Sequence, residues 1–257
     1  MRIFFSALSL VAAASSLVAG CAAPGPASTR AATEGATLSR AQLAALVASA
    51  DRSEADRRND ERRKPVEMLA FTGVRPGMTV LDVSAGGGYT SELLARAVAP
   101  GGRVYAQTPR APSAGLAARL KTPAAANIVS VVQPFESPAP AEVAAGGLDL
   151  VTLMFNYHDL GHLGVDRARL NAAIFAALKP GGAYVIADHA GRAGTGISES
   201  GTLHRVEEAF VRREVEAAGF RLAGQGMFLR NPADPRDRNE PEGGQPKDEF
   251  VLRFVKP

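Results

Sequence analysis

The sequence predicts an α/β domain in which a seven-stranded, mostly parallel sheet is covered by helices on both faces. Three observations predict it. Five short runs, at 79–83, 103–107, 128–132, 148–155 and 183–188, are apolar almost without interruption, as strands buried on both faces are. Helix-period stretches separate these runs, the alternation that a doubly wound sheet requires. Two further β-type runs, at 220–229 and 249–255, complete seven strands.

In chain order, residues 1–20 carry Arg2, an apolar stretch and a small-residue end, the layout of an export signal. The segment Leu17-Val18-Ala19-Gly20-Cys21 resembles the lipobox of bacterial lipoproteins, which implies lipidation at Cys21 and cleavage just before it. Alanine at position 22 implies, by the same resemblance, the periplasmic face of the outer membrane in the cell envelope. Residues 21–38 are mostly Ala, Pro, Gly, Ser and Thr and bury too little surface to offset their ordering entropy, so they read as a tether. The folded domain is then 39–257.

Leu43, Leu46 and Val47 share one helical face. Residues 51–64 mix five acids with six bases at spacings suited to i,i+4 pairs, and predict a solvated helix with a charged surface. Pro65 suits the first turn of a third helix with Val66, Leu69 and Ala70 inward and Gly73 as its stop. Later, Asp166 caps a helix lined by Leu170, Ile174 and Leu178, which Pro180-Gly181-Gly182 ends. A helix over 203–218 presents Val206, Phe210 and Ala217, with Gly219 beyond it, and 230–248 reads as an exposed loop.

Composition narrows the chemistry. The chain is 46% hydrophobic and 21% charged with a net charge of +3, an ordinary globular balance that gives no support for a nucleic-acid partner. Cys21 is the single cysteine, which removes intramolecular disulfides and cysteine-based metal sites. No apolar run after the N-terminus is long enough to span a bilayer, so the membrane enters only through the lipid at Cys21.

The first strand leads into Asp82-Val83-Ser84-Ala85-Gly86-Gly87-Gly88-Tyr89. Glycines there let backbone N–H groups approach a ligand at a helix start. A nicotinamide-binding turn needs a third glycine where Ser91 stands and an acid where Gln107 and Thr108 stand. The early acid Asp82 instead gives a stretch that resembles the first motif of class I S-adenosylmethionine (SAM) methyltransferases. Arg75-Pro76-Gly77-Met78 and Leu178-Lys179-Pro180-Gly181-Gly182 look like flanks common in that superfamily. More narrowly, Asn156-Tyr157-His158-Asp159, Asp188-His189, His204-Arg205-Val206-Glu207-Glu208 and Arg230-Asn231-Pro232-Ala233-Asp234 resemble a group of predicted bacterial methyltransferases, many of them exported.

The resemblance implies the Rossmann-like class I methyltransferase fold and SAM as cofactor. It places Asp82 at the amino end of the methionine moiety and Gly86 and Gly88 where the cofactor backbone passes. Ser84, Tyr89, Thr108 and Asn156 fall in the same cofactor set, and Phe135 is placed to stack on the base. Ser84 stands where the superfamily has glycine, and no acid ends the second strand.

Ligands of open α/β sheets sit beyond the carboxyl ends of the strands, so His158-Asp159 and Asp188-His189 should face one cleft. An imidazole beside a carboxylate can take a proton from a nucleophile, which makes His158 the first choice of base, supported by Asp159, and His189 the second. Alternatively these side chains only bond loop backbone. His158 and His162 have the spacing of a metal pair that Asp159, Asp188 or His189 could complete, but Gly161 between them argues against a regular helix, and no metal is expected. The resulting expectation is a lipid-anchored methyltransferase acting on a small nucleophilic acceptor. The alternative is an envelope lipoprotein that keeps the fold as a non-enzymatic binding or interaction module.

Overall fold

In the computed structural model, residues 1–4 and 36–257 are described. Residues 5–20 of the export signal, nearly all of the tether and Cys21 lie outside the described residues. A compact unit covers Glu34–Pro257. It opens with three helices, α1 (Arg40–Val47), α2 (Glu54–Arg63) and α3 (Pro65–Thr72), followed by β1 (Thr79–Val83), α4 (Tyr89–Val98), β2 (Arg103–Thr108), α5 (Ala114–Arg119) and β3 (Ile128–Val132). The second half holds β4 (Leu148–Met154), α6 (Asp159–His162), α7 (Arg167–Ala177), β5 (Leu178–His189), α8 (Glu208–Ala217), β6 (Arg221–Gly226) and β7 (Glu249–Val255).

The seven strands form one sheet in the order β3-β2-β1-β4-β5-β7-β6. Strands β1 to β5 are parallel, and β7 runs antiparallel to both neighbours, β5 and β6. Because side chains alternate along a strand, each central strand feeds two cores. Leu81, Val83, Val151, Leu153, Tyr184 and Ile186 pack with α7 and α8 through Leu170, Ile174, Val211 and Val215. Val80, Val104, Leu150 and Val185 pack on the other face with Leu43, Leu69, Leu93 and Leu94. The chain leaves β1 toward β2 on one side and returns to β4 on the other, so the loops after β1 and β4 part and open a crevice at the switch point. Among the described residues no helix is long and apolar enough to cross a membrane.

Five local expectations are corrected. Helix α2 is not merely a solvated face, since Arg52 and Asp56 are buried. In α3 it is Met68 and Leu69 that are buried while Ala70 is exposed. The fifth strand begins at Leu178, because Gly181 N–H donates to Lys256 O and Lys256 N–H to Gly182 O, a long-range pairing that carries the strand through Pro180-Gly181-Gly182. Helix α8 starts only at Glu208; Val206 instead forms a parallel bridge with Ala190, and Ala217 is exposed. Finally, the 230–248 segment buries Asp234 and Asp248, which bind its backbone and Arg205.

Candidate functional site

The glycine turn is built by three residues in the left-handed region, Ser84 (φ 58°), Gly86 (φ 57°) and Gly88 (φ 80°). A serine there is strained and needs outside support. Ser84 N–H donates to Gln107 Oε1 (2.9 Å), Ser84 Oγ donates to Asn156 Oδ1 (2.7 Å), and Ala85 N–H donates to Gln107 O (2.8 Å). Gln107, where an acid was looked for, is fully buried and donates from Nε2 to Gln133 O. It ties the turn to the end of β3, and its amide is used up in doing so.

Asp82 sits below the turn. Its carboxylate accepts from Ser91 Oγ (2.6 Å) and Thr152 Oγ1 (2.8 Å). Burial pushes its pKa up to about 6 against the opposing effect of these hydroxyls. The cleft above is lined by Arg63, Asp82, Ser84, Gly86, Gly87, Tyr89, Met154, Phe155 and Asn156.

Of the residues assigned to a cofactor, Asp82, Ser84, Gly86, Tyr89 and Asn156 therefore share one cavity. Three others do not join it, and the expectation is corrected for each. A Cβ at Gly88 would lie 2.9 Å from Leu116 Cδ1 and from Arg119 Cδ, so that glycine makes room for α5. Phe135 is buried in the α7–α8 core and has no face to offer a base. Thr108 Oγ1 donates to Arg110 O (2.6 Å).

Helix α2 roofs the turn with a row of charges. Arg52 grips Asp60 with two bonds of 2.6 and 2.9 Å, and Asp60 accepts from Tyr89 Oη (2.7 Å). Burial and the bond to Asp60 hold the Tyr89 phenol far above its ordinary pKa. Asp56 takes a bidentate pair from Arg119, which also binds Glu92 and Gly87 O. Arg63 lies at the end of the row with its guanidinium carbon 3.9 Å from the Phe155 ring centroid. Burial, then the neighbouring Arg62, pull its pKa down to about 10. It has no carboxylate partner among the described residues, and it faces the cleft above Asp82.

The carboxyl ends of β4 and β5 bring the histidines together. In the parallel register Met154 pairs with Ala187, so the segments that follow are neighbours. His158 N–H donates to Asp188 Oδ2 (2.7 Å), and its Nδ1 lies 2.6 Å from Asp188 Oδ1. Its Nε2 lies 3.1 Å from Asp159 Oδ1. Burial opposes charge on this ring, but the bond to Asp188 and the charges of Asp188 and Asp159 outweigh it and raise the pKa.

With both nitrogens facing carboxylate oxygens, His158 turns neither of them toward an acceptor, and the expectation of His158 as base is revised on that ground. His189 is different. Burial lowers its pKa, Nδ1 lies 2.9 Å from Glu249 Oε1, and the ring lines a second cleft with Glu61, Arg62, Lys247 and Glu249. Phe155, itself at φ 57°, stands between the clefts, 5.7 Å from His189 and under Arg62 and Arg63.

Arg63, Asp60, Gln107 and Phe155 were missed from sequence. The i,i+4 row of α2 was the available signal, but the same spacing serves pairs within a helix and pairs to a neighbour.

No protein-family model matches the chain. Over 39 residues it is 62% identical to a protein-L-isoaspartate O-methyltransferase of Aeropyrum pernix, a stretch that spans 15% of each protein. The fold is similar to a SAM-dependent methyltransferase of Aquifex aeolicus (TM-score 0.59, 19% identity, 86% of this chain and all of that one). It is also similar to a TehB-like SAM-dependent methyltransferase of Corynebacterium glutamicum (TM-score 0.50, 17%, 79% and 98%). A third similar structure is the [4+2]-cyclase SpnF (TM-score 0.55, 17%, 87% and 86%). At such identities the likeness shows the fold, and the chain has the Rossmann-like fold of class I methyltransferases.

Proposed function

We propose that the chain is a SAM-dependent methyltransferase that methylates a nucleophilic acceptor, a small molecule in the simplest reading. One observation carries this: a buried carboxylate, Asp82, and an arginine with no carboxylate partner among the described residues, Arg63, line one cleft beside the exposed turn Gly86-Gly87. A free amino acid moiety carries an ammonium and a carboxylate, and this pair of walls matches both charges. SAM, when bound, supplies a methyl group on a sulfonium. Asp82 would hold the ammonium, Arg63 the carboxylate, and Gly86 and Gly87 would admit the cofactor backbone.

The acceptor would enter the second cleft. There His189, whose pKa burial lowers and whose Nδ1 lies 2.9 Å from Glu249 Oε1, takes the proton that the nucleophile loses. His158 and Asp159 then act as fixed charges beside it. The NYHD and DH segments support kinship with the exported bacterial group named above.

SAM at 100 times its dissociation constant should stabilise the native state by about 2.7 kcal/mol and raise Tm by roughly 5 °C. Gly87 is not in the left-handed region, and a Cβ there meets nothing within 4 Å. Gly87→Val therefore puts a branched side chain in the cleft without strain and should abolish the shift at unchanged far-UV circular dichroism. A wild-type chain that shows neither shift nor binding heat with millimolar SAM overturns the reading.

We also propose, from the 17–21 motif and the segment after it, that Cys21 is lipidated and holds the protein at the cell envelope. A multiply acylated cysteine anchors stably where one chain does not. Cells fed a palmitate analogue should label the protein, and Cys21→Ala should lose the label. Undiminished labelling of that variant rejects the anchor.

A further inference from the structure

We infer that His158, Asp159 and His204 form a binding site for one divalent transition-metal ion of the zinc class. The site does not rest on the methyltransferase reading. Sequence spacing pairs His158 with His162. The third ligand comes instead from a segment more than forty residues on.

The donor atoms of His158, Asp159 and His204 all lie within 4.8 Å of one another. His158 Nε2 is 3.1 Å and His204 Nδ1 is 3.0 Å from Asp159 Oδ1. Zinc bonds to nitrogen and oxygen are about 2.0–2.2 Å, so tetrahedral neighbours sit about 3.3–3.4 Å apart. Both carboxylate–imidazole separations thus lie within a few tenths of an ångström of those in a tetrahedral shell.

The outer contacts are those of a ligand set. His158 Nδ1 is held by Asp188 Oδ1 at 2.6 Å, which turns Nε2 toward the ion as carboxylate–histidine–metal triads do. Asn156 Nδ2 donates to Asp159 Oδ2 (2.8 Å) and leaves Oδ1 for the metal. His204 is held at φ 50°, a strained conformation for an imidazole residue, and strain of this kind gathers at functional sites.

Charge agrees as well. Asp159 and Asp188 meet at His158, and a divalent ion in place of the shared proton neutralises both. Access is open, since the side chains of Asp159 and His204 are 24% and 41% exposed. His162 Nδ1, 3.8 Å from Asp159 Oδ1 and 3.0 Å from Ser200 Oγ, stands beside the fourth position, which is left to water or to an acceptor atom. Two imidazoles and a carboxylate without sulfur suit zinc, cobalt(II) or nickel(II) better than magnesium or calcium.

The test is a titration of chelator-treated full chain with zinc chloride alone, by calorimetry, and with cobalt chloride, by visible absorption. One ion per chain is expected, with the intense visible bands of four-coordinate cobalt. Asp159→Asn and His204→Asn should each weaken zinc at least about 100-fold, and Asp188→Asn by about 10–100-fold. Asparagine is chosen at 204 because it tolerates the left-handed backbone. His162→Ala should change affinity less than either ligand variant.

Cys21→Ala must retain the ion, which separates this site from a thiolate. Circular dichroism certifies each fold, and if one ligand variant fails to fold the other decides. Absence of zinc uptake by the wild-type chain, or undiminished wild-type affinity in both Asp159→Asn and His204→Asn, overturns the site. Loss of binding in Cys21→Ala does the same.

Discussion

Replacing Arg205 by methionine is expected to cost about 3–5 kcal/mol of stability. Arg205 and Asp234 are both fully buried at the side chain and lie 2.9 Å apart. The guanidinium also donates to Ala190 O and Arg238 O, each at 2.9 Å, so one side chain ties the end of β5 to the 230–248 segment. Methionine fills much of the volume but strands the Asp234 carboxylate, which still accepts from Arg236 and Asp248 N–H, in a dry site. Adding Asp234→Asn removes the orphaned charge while keeping those two acceptors, and should recover a large part of the loss. Urea denaturation of the single and double variants measures both steps. A single variant within 1 kcal/mol of wild type would show that the pair contributes nothing, as many ion pairs do.

Asp82→Asn should move stability and ligand binding in opposite directions. The folded protein holds the Asp82 pKa near 6 against an ordinary 3.8, so the native state binds the proton more tightly than the unfolded chain. Its contribution is fully present below about pH 4 and is lost as the pH rises through 6. Two units correspond to roughly 3 kcal/mol, so at pH 7 the wild-type chain carries a burial cost that the asparagine variant escapes.

The variant should therefore be the more stable protein above pH 6 and lose that advantage by pH 4. In the SAM reading it should also bind more than about 30-fold more weakly, because a buried charge has lost its counter-charge. Chemical denaturation between pH 4 and 7.5, with calorimetry at pH 7, separates the two effects. A difference that does not change with pH would mean that Asp82 titrates normally.

The central strands β1, β4 and β5 were legible because both faces of each are largely apolar, a pattern that local sequence carries. The ends were less so. Lys179-Pro180-Gly181-Gly182 reads as punctuation until Lys256 pairs across it, and Leu203–Val206 has helical spacing until Ala190 claims Val206. Convergence of His158 with Asp188 was legible from the rule that ligands gather beyond parallel strand ends. The use of each residue was not. A glycine motif does not say whether a glycine serves a ligand, as at Gly87, or a neighbouring helix, as at Gly88. Nor does a histidine announce that carboxylates hold both its nitrogens, which is why His158 looked like a base.

The roof over the glycine turn has a consequence for motion. Asp56 is the buried residue of α2, and the helix is held by Arg52, Asp56, Asp60, Arg62 and Arg63 through polar bridges and ring contacts. Lifting it exposes little apolar surface, so the opening carries a small m-value and urea barely promotes it. Salt does little more, because Arg52 and Asp56 are buried and Arg119 is half-buried, and such pairs are screened far less than exposed ones. The roof is thus expected to respond weakly to both urea and salt, while the strands beneath answer to denaturant: two layers of one domain with different responses to solvent.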